Sequence, residues 1–200
     1  MKTTVTREEL AARGIEAIVI GGSAGGVDAL LQLLPGLPAD LPLPVMVVLH
    51  IPPNRDSRLA ELFQNRAAYT VREAQDKEPV APGAVYFAGA GYHLSVERDR
   101  CFSLSLDAPV HFARPAIDVL MESAADAFGP AVAGVLLTGA NHDGADGLAA
   151  IGRAGGLTVV QDPAEAPVPT MPAHAIGVRA PDYVLPLAGI RELLMMLETR

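Results

Sequence analysis

A single cysteine, Cys101, in 200 residues rules out an internal disulfide, and no Cys/His group has the spacing of a zinc site. No apolar run approaches the roughly 20 residues needed to cross a bilayer. The amino-terminal Met1–Leu10 segment has no apolar core of a signal peptide, so a cytoplasmic location is expected. Basic residues are outnumbered 15 to 23, a formal net charge of −8, which argues against general nucleic-acid binding. There is no internal repeat at solenoid spacing and no low-complexity tract. Half of the residues are apolar and 19% are charged, a globular rather than a disordered composition. A single domain over residues 1–200, with its core at about 17–187, is the expected organisation.

Thr6 followed by Glu9 has capping-box spacing for a short first helix. Ala17–Ile20 and Val45–Leu49 are continuous apolar runs suited to parallel strands buried on both faces. A helix from Val27 is stopped by Pro35 and Gly36. Ile51-Pro52-Pro53 blocks regular structure after His50, and Asp56 or Ser57 is placed to cap a helix reaching about Arg66. Tyr69 to Leu106 carries short alternating runs between turn signals, which predicts an antiparallel β insertion. Beyond it come a helix over Ala116–Phe128, strands at Val132–Thr138, Leu157–Val160 and Tyr183–Leu185, a short helix over Met171–Ile176 and a last helix from Ile190. Strand–helix alternation on both sides of the insertion predicts an α/β fold: a doubly wound, mostly parallel sheet flanked by helices.

Ligands in such sheets bind beyond the carboxyl ends of the strands. Ser23 stands there, in Gly21-Gly22-Ser23-Ala24-Gly25, a G-x-S-x-G segment between a strand and a helix. A hydroxyl on such a turn meets the orphan N–H groups of a helix start, which favour developing negative charge. The plainer alternative is a glycine turn that binds a phosphate or nothing. A P-loop would need a Gly-Lys-Ser/Thr sequence, and no lysine occurs between Lys2 and Lys77. A dinucleotide fingerprint would need glycine at Ser23 and an acidic residue where the next strand ends in His50.

A serine nucleophile needs a base and a residue that orients the base. His50, at the end of the second strand, is the best-placed base, although a histidine at a strand end is by itself more often structural. His93 sits in an alternating strand and reads as half-exposed; His111 reads as a loop residue. His174 reads as packing, and His142 is too close in sequence to Asp143 to pair with it. Asp143 lies in a glycine-flanked loop where it could orient His50 or serve as N-cap of the helix from about Ala145. Asp118 could equally pair with Arg114 at i,i+4 spacing. The order Ser23, His50, Asp143 differs from the Ser, Asp, His order of α/β-hydrolases and points to another fold.

With these residues assembled, the chain resembles the catalytic domain of the CheB family of chemotaxis protein-glutamate methylesterases, over about Ala17 to Leu187. The resemblance rests on Ile20–Gly26, Leu49-His50-Ile51-Pro52-Pro53, Arg114-Pro115-Ala116-Ile117-Asp118, Leu137–Gly144 and Met171-Pro172, in that order. It implies that Ser23 is the nucleophile, His50 the general base and acid, and Asp143 the residue orienting His50. His50 is then expected to offer one ring nitrogen to Ser23 and the other to Asp143. Backbone N–H groups near Ala24 and Ala140 are implied as oxyanion donors. The implied reaction is hydrolysis of a glutamate γ-methyl ester on a chemoreceptor-type helical protein, releasing methanol, with glutamine deamidation as a second activity. No metal or organic cofactor is implied.

The family commonly has methionine where Ala140 stands and glycine where Asn141 stands. Members of the chemotaxis pathway usually carry an amino-terminal receiver domain, whereas about 16 residues precede the first core strand here. That implies an unregulated stand-alone esterase, control by a regulator on a separate chain, or a sequence trimmed from a longer protein. Two further readings remain open: a serine esterase acting on another ester, and a non-catalytic domain that binds a helical partner.

Overall fold

The continuous apolar runs become the centre of a sheet. A computed structural model describes residues 6–40, 42–50 and 58–197. Its strands are β1 (Ala17–Gly22), β2 (Val45–Leu49), β3 (Thr70–Glu73), β4 (Ala84–Phe87), β5 (His93–Val96), β6 (Phe102–Ser105), β7 (Val132–Leu136), β8 (Leu157–Gln161) and β9 (Tyr183–Leu185). Among the described residues, seven of them form one parallel sheet in the order β3-β4-β2-β1-β7-β8-β9. β5 and β6 pair antiparallel as a separate hairpin.

Alternation along the strands loads both faces. Ile18, Ile20, Val45, Val47 and Leu49 face one core, shared with α1 (Arg7–Ala11), α2 (Gly26–Leu33), α3 (Leu59–Gln64) and α7 (Leu187–Leu197). Val19, Met46 and Val48 face the other, covered by α4 (Ile117–Phe128), α5 (Ala145–Arg153) and α6 (Thr170–Val178). Full burial of each such aliphatic side chain contributes about 1.5–3 kcal/mol. The hairpin extends this second layer against α4, with Leu94, Val96 and Phe102 in its core.

Two features differ from expectation. Only β5 and β6 are antiparallel; β4, expected in the insertion, joins the main sheet beside β2, and β3 adds an edge beyond it. All four residues of β4 are buried, as a strand covered on both faces requires. The helix expected from Asp56 or Ser57 is α3; those caps and Ile51-Pro52-Pro53 lie outside the described residues. Thr6 does cap α1, its hydroxyl accepting from the Glu9 amide at 3.4 Å.

From β1 the chain crosses to β2 on one side, and from β7 to β8 on the other. Their diverging ends open a crevice at the carboxyl edge of the sheet. Over it sits the first turn of α4, close enough that glycine is required beneath. A Cβ on Gly21 would lie 2.3 Å from Ile117 Cγ2. Gly21→Ala is therefore expected to destabilise the fold by about 1–3 kcal/mol through overpacking. Gly177→Ala, in α6 with nothing within 4 Å of the added carbon, should instead be neutral or gain about 0.5 kcal/mol. Denaturant midpoints of the two variants check the contrast.

Candidate active site

Ser23 is the residue immediately after β1, and His50 the residue immediately after β2. The parallel register pairs Gly22 with Leu49, so the two leave adjacent strand ends side by side. The His50 amide donates to Gly22 O at 3.2 Å. Beyond Ser23, Gly25 takes a left-handed φ of 80° as N-cap of α2, which lets the strand turn sharply into the helix.

The loop after β7 braces this turn. The Ser23 amide donates to Thr138 O at 2.9 Å. Thr138 Oγ1 donates to Ala24 O at 2.9 Å and accepts from the Val168 amide at 3.0 Å, so one hydroxyl ties three segments together. A Cβ on Gly139 would lie 3.0 Å from Ser23 Cβ and 2.5 Å from Met171 Cε, so a side chain there would crowd the serine from behind. The Ala24 and Ala140 amides lie on exposed turns and give no hydrogen bond among the described residues.

Asp143 is wholly buried in the same loop. Its Oδ2 lies 2.7 Å from His50 Nε2 and accepts the Ile117 amide at 2.7 Å; its Oδ1 accepts the Asp118 amide at 3.0 Å. A carboxylate only accepts, so His50 Nε2–H is the donor and Nδ1 keeps a lone pair. The Asn141 side-chain nitrogen sits 3.5 Å from that Nδ1. Ser23 Oγ makes no hydrogen bond among the described residues, so the expected contact between hydroxyl and ring is not closed in this state. Burial alone would push the Asp143 carboxyl up, but the His50 bond and the two amides outweigh it and hold the group below the ordinary carboxylate range.

Asp143 is not the N-cap of α5, where Gly144 stands; its carboxylate instead covers the first amides of α4. Asp118, in the first turn of α4, returns the arrangement by accepting the Gly147 amide of α5 at 2.7 Å. Each helix start is thus capped by the other's segment. Asp118 does not pair with Arg114, whose Nη1 donates to the carbonyls of Leu106 and Asp107. Burial, with a contribution from the Asp143 charge, pushes the Asp118 carboxyl up to about 7 against the opposing pull of the Gly147 amide.

His93 is buried rather than half-exposed. Its Nε2 donates to Ala108 O at 3.1 Å and its Nδ1 accepts the Ala116 amide at 3.2 Å, which fixes the residue before α4. His142 and His174 are exposed and stack ring on ring, centroids 3.9 Å apart. His111, Asp118 and Asp146 place donor atoms within 4.8 Å of one another. Two helix starts converge there and disfavour a cation, and Asp118 is already engaged by Gly147 and His111. Within the cluster Asp118 serves as acceptor for the start of α5. A cleft of about 440 Å³ opens beside His50, bordered by Asn141, Ala113, Arg114 and Pro115.

The bracing by Thr138 and the contact of Asn141 with His50 were not read from the sequence. Thr138 follows an apolar strand with no local sign of its partners, and Asn141 stood out only as a departure from the family pattern.

The raised Asp118 carboxyl yields a stability prediction. Between about pH 4 and about 7 the folded chain keeps a proton there that the unfolded chain, near the ordinary value of 3.8, has released. Asp118 therefore makes the chain less stable as pH rises across that window. Asp118→Asn removes this slope while keeping an acceptor for the Gly147 amide. Relative to wild type, the variant should gain stability from about pH 4 to 7 and level off above, read by denaturant titration at each pH.

A family model described as CheB methylesterase matches residues 18–194. A relative from Leptospira interrogans is 44% identical over 183 residues, covering 92% of this chain and 95% of its own length. The protein-glutamate methylesterase/protein-glutamine glutaminase of Symbiobacterium thermophilum is 40% identical over 177 residues, 88% of this chain but 49% of that protein. The chain thus spans nearly all of one relative and about half of the other. The crystal structure of the Thermotoga maritima CheB methylesterase catalytic domain superposes with a TM-score of 0.86 at 34% identity, covering 92% of this chain and 98% of that one. No helix among the described residues is long and apolar enough to cross a membrane.

Proposed function

We propose that this chain, which belongs to the CheB methylesterase family, hydrolyses γ-methyl esters of glutamyl residues in a helical, chemoreceptor-type protein, with Ser23 as nucleophile. The observation that carries the reading is the 2.7 Å bond from His50 Nε2 to the buried Asp143, at a strand end adjoining Ser23. It leaves Nδ1 as the basic atom of a ring whose orientation is set by a charged partner.

In this reading Ser23 Oγ attacks the ester carbonyl and its proton passes to His50 Nδ1. The imidazolium that forms is stabilised by Asp143, which stays ionised because its carboxyl lies below the ordinary range. The negative charge on the former carbonyl oxygen is met by the amides of Ala24 and Ala140. Their lack of other partners among the described residues suits that role. As the intermediate collapses, the C–O bond to the methoxy group breaks and His50 returns the proton, releasing methanol and leaving an acyl-serine. Water then attacks the acyl carbon with His50 again as base, freeing Ser23 and a glutamate carboxyl. A glutaminyl amide would follow the same steps with ammonia as leaving group. Every group in this sequence is a side chain or amide of residues 23–143, and the chain is read as one catalytic unit.

Methanol release from methylated receptor cytoplasmic fragments, set beside hydrolysis of p-nitrophenyl acetate, tests the reading and separates it from an esterase for another ester. Ser23→Ala and His50→Ala should each lower turnover by about 10⁶, and Asp143→Asn by about 10⁴, since nucleophile and base survive in the last. His142→Ala should keep most activity. A folded but inactive His142→Ala enzyme would overturn the choice of base.

A further inference from the structure

The turn that borders the cleft has a conformation its residues do not favour. Val110 and Ala113 exchange backbone hydrogen bonds of 3.1 and 2.9 Å, leaving His111 and Phe112 as a two-residue tip. Both have left-handed backbones, φ 49° and 61°, in a turn that usually takes Asn and Gly. Two residues carrying Cβ atoms are strained there, and such strain persists only where the surroundings hold it. Part of the hold is visible. His111 leans towards α4, its Nε2 3.3 Å from the Asp118 carboxyl group, and Arg114 ties the turn to the Leu106 and Asp107 carbonyls.

Phe112 turns the other way. It is fully exposed, at 105% of its reference surface, while the other exposed large apolar side chains among the described residues reach at most 65%. The ring therefore contributes no burial to the fold, yet it stands at the rim of the cleft that opens on His50. Two other exposed apolar residues attach to the cleft lining through the chain: Tyr92 follows the lining residue Gly91, and the Leu106 carbonyl accepts from the lining residue Arg114. A methyl ester group fills only a small part of a cleft of about 440 Å³. The remaining space adjoins Phe112 and is available to substrate residues beside the ester.

We infer that Phe112 is a specificity-determining contact: its ring seats against an apolar side chain of the substrate protein flanking the esterified glutamate, so that the site favours a protein ester over a small free one. This rests on the reading of the site as a protein-glutamate methylesterase. The turn sets the backbone from which the ring projects before binding, which limits the ordering cost of the contact to the side chain. Aromatic side chains held in this way are the usual anchors of protein recognition.

The test is steady-state kinetics of the full chain and its Phe112→Ala and Phe112→Leu variants on a methylated receptor cytoplasmic fragment and on p-nitrophenyl acetate. Phe112→Ala should raise KM for the fragment about tenfold with kcat little altered, the signature of lost binding remote from the reacting bond. The ratio of kcat/KM for fragment to that for the small ester should fall about tenfold. Phe112→Leu, which keeps an apolar surface, should recover most of that loss. An unaltered KM for the fragment in Phe112→Ala overturns the inference, and so does an equal fall on both substrates. A wild-type chain active on the small ester but inert towards the fragment overturns the substrate reading and this inference with it. If wild type cleaves the fragment while Phe112→Ala keeps its KM, only the inference fails.

Discussion

A carboxylate with no access to water is tolerated only when its charge is met on every side, and Asp143 is met by three donors: His50 Nε2 and the amides of Ile117 and Asp118. The two amides belong to the start of α4, where unpaired N–H groups and the helix dipole favour negative charge. The same contact therefore closes the end of a helix and sets the orientation of an imidazole. Asp118 repeats it in reverse by accepting the Gly147 amide of α5. Helices α4 and α5, the loop after β7 and the end of β2 are consequently locked together around one charge. The cost falls on Asp118, a second carboxyl buried near the first, which is why it holds its proton to about pH 7.

The serine side of the crevice is supported by different means. Among the described residues no charged group makes a hydrogen bond or ion pair with Ser23; its turn is held by backbone and hydroxyl hydrogen bonds to Thr138 and by the absence of a side chain at Gly139. A nucleophile set by neutral contacts beside a base set by a charge keeps the two functions electrostatically separate. In the proposed mechanism the negative charge that forms on the substrate is received by amides that no other group of the described chain uses, rather than by a cation.

The central strands were legible because β1, β2 and β7 are short, unbroken apolar runs that only a sheet covered on both faces accommodates. β3 was not, because Thr70-Val71-Arg72-Glu73 is an edge strand whose polar residues are what keep such an edge soluble. β4 was assigned to the hairpin region since turn signals surround it, although its buried partners lie in β2. Ser23, His50 and Asp143 could be singled out as candidates because strand ends are where α/β sheets place their ligands. The partners of Asp143 could not, since they come from the start of α4, 25 and 26 positions earlier in the chain. Local spacing offered Asp118 a partner in Arg114, and tertiary packing supplied Gly147 and His111 instead. For His93 the alternation was right, but the face expected to be half in solvent is covered by Ala108 and the start of α4.

The register of β1 on β2 also limits how this chain can vary in length. Gly22 lies opposite Leu49, and the two residues that follow leave the sheet side by side only because each is the first past its own strand. Inserting or deleting one residue within either strand would turn every side chain beyond it to the opposite face and carry Ser23 or His50 away from the other. At the opposite edge of the sheet no such condition applies. The segments leading into β2 and β8 join helix to strand on the side away from the crevice, so their length does not enter this pairing. The sheet itself thus divides the constraint: at one edge the spacing is fixed to the residue by the site, and at the other it is set by packing alone.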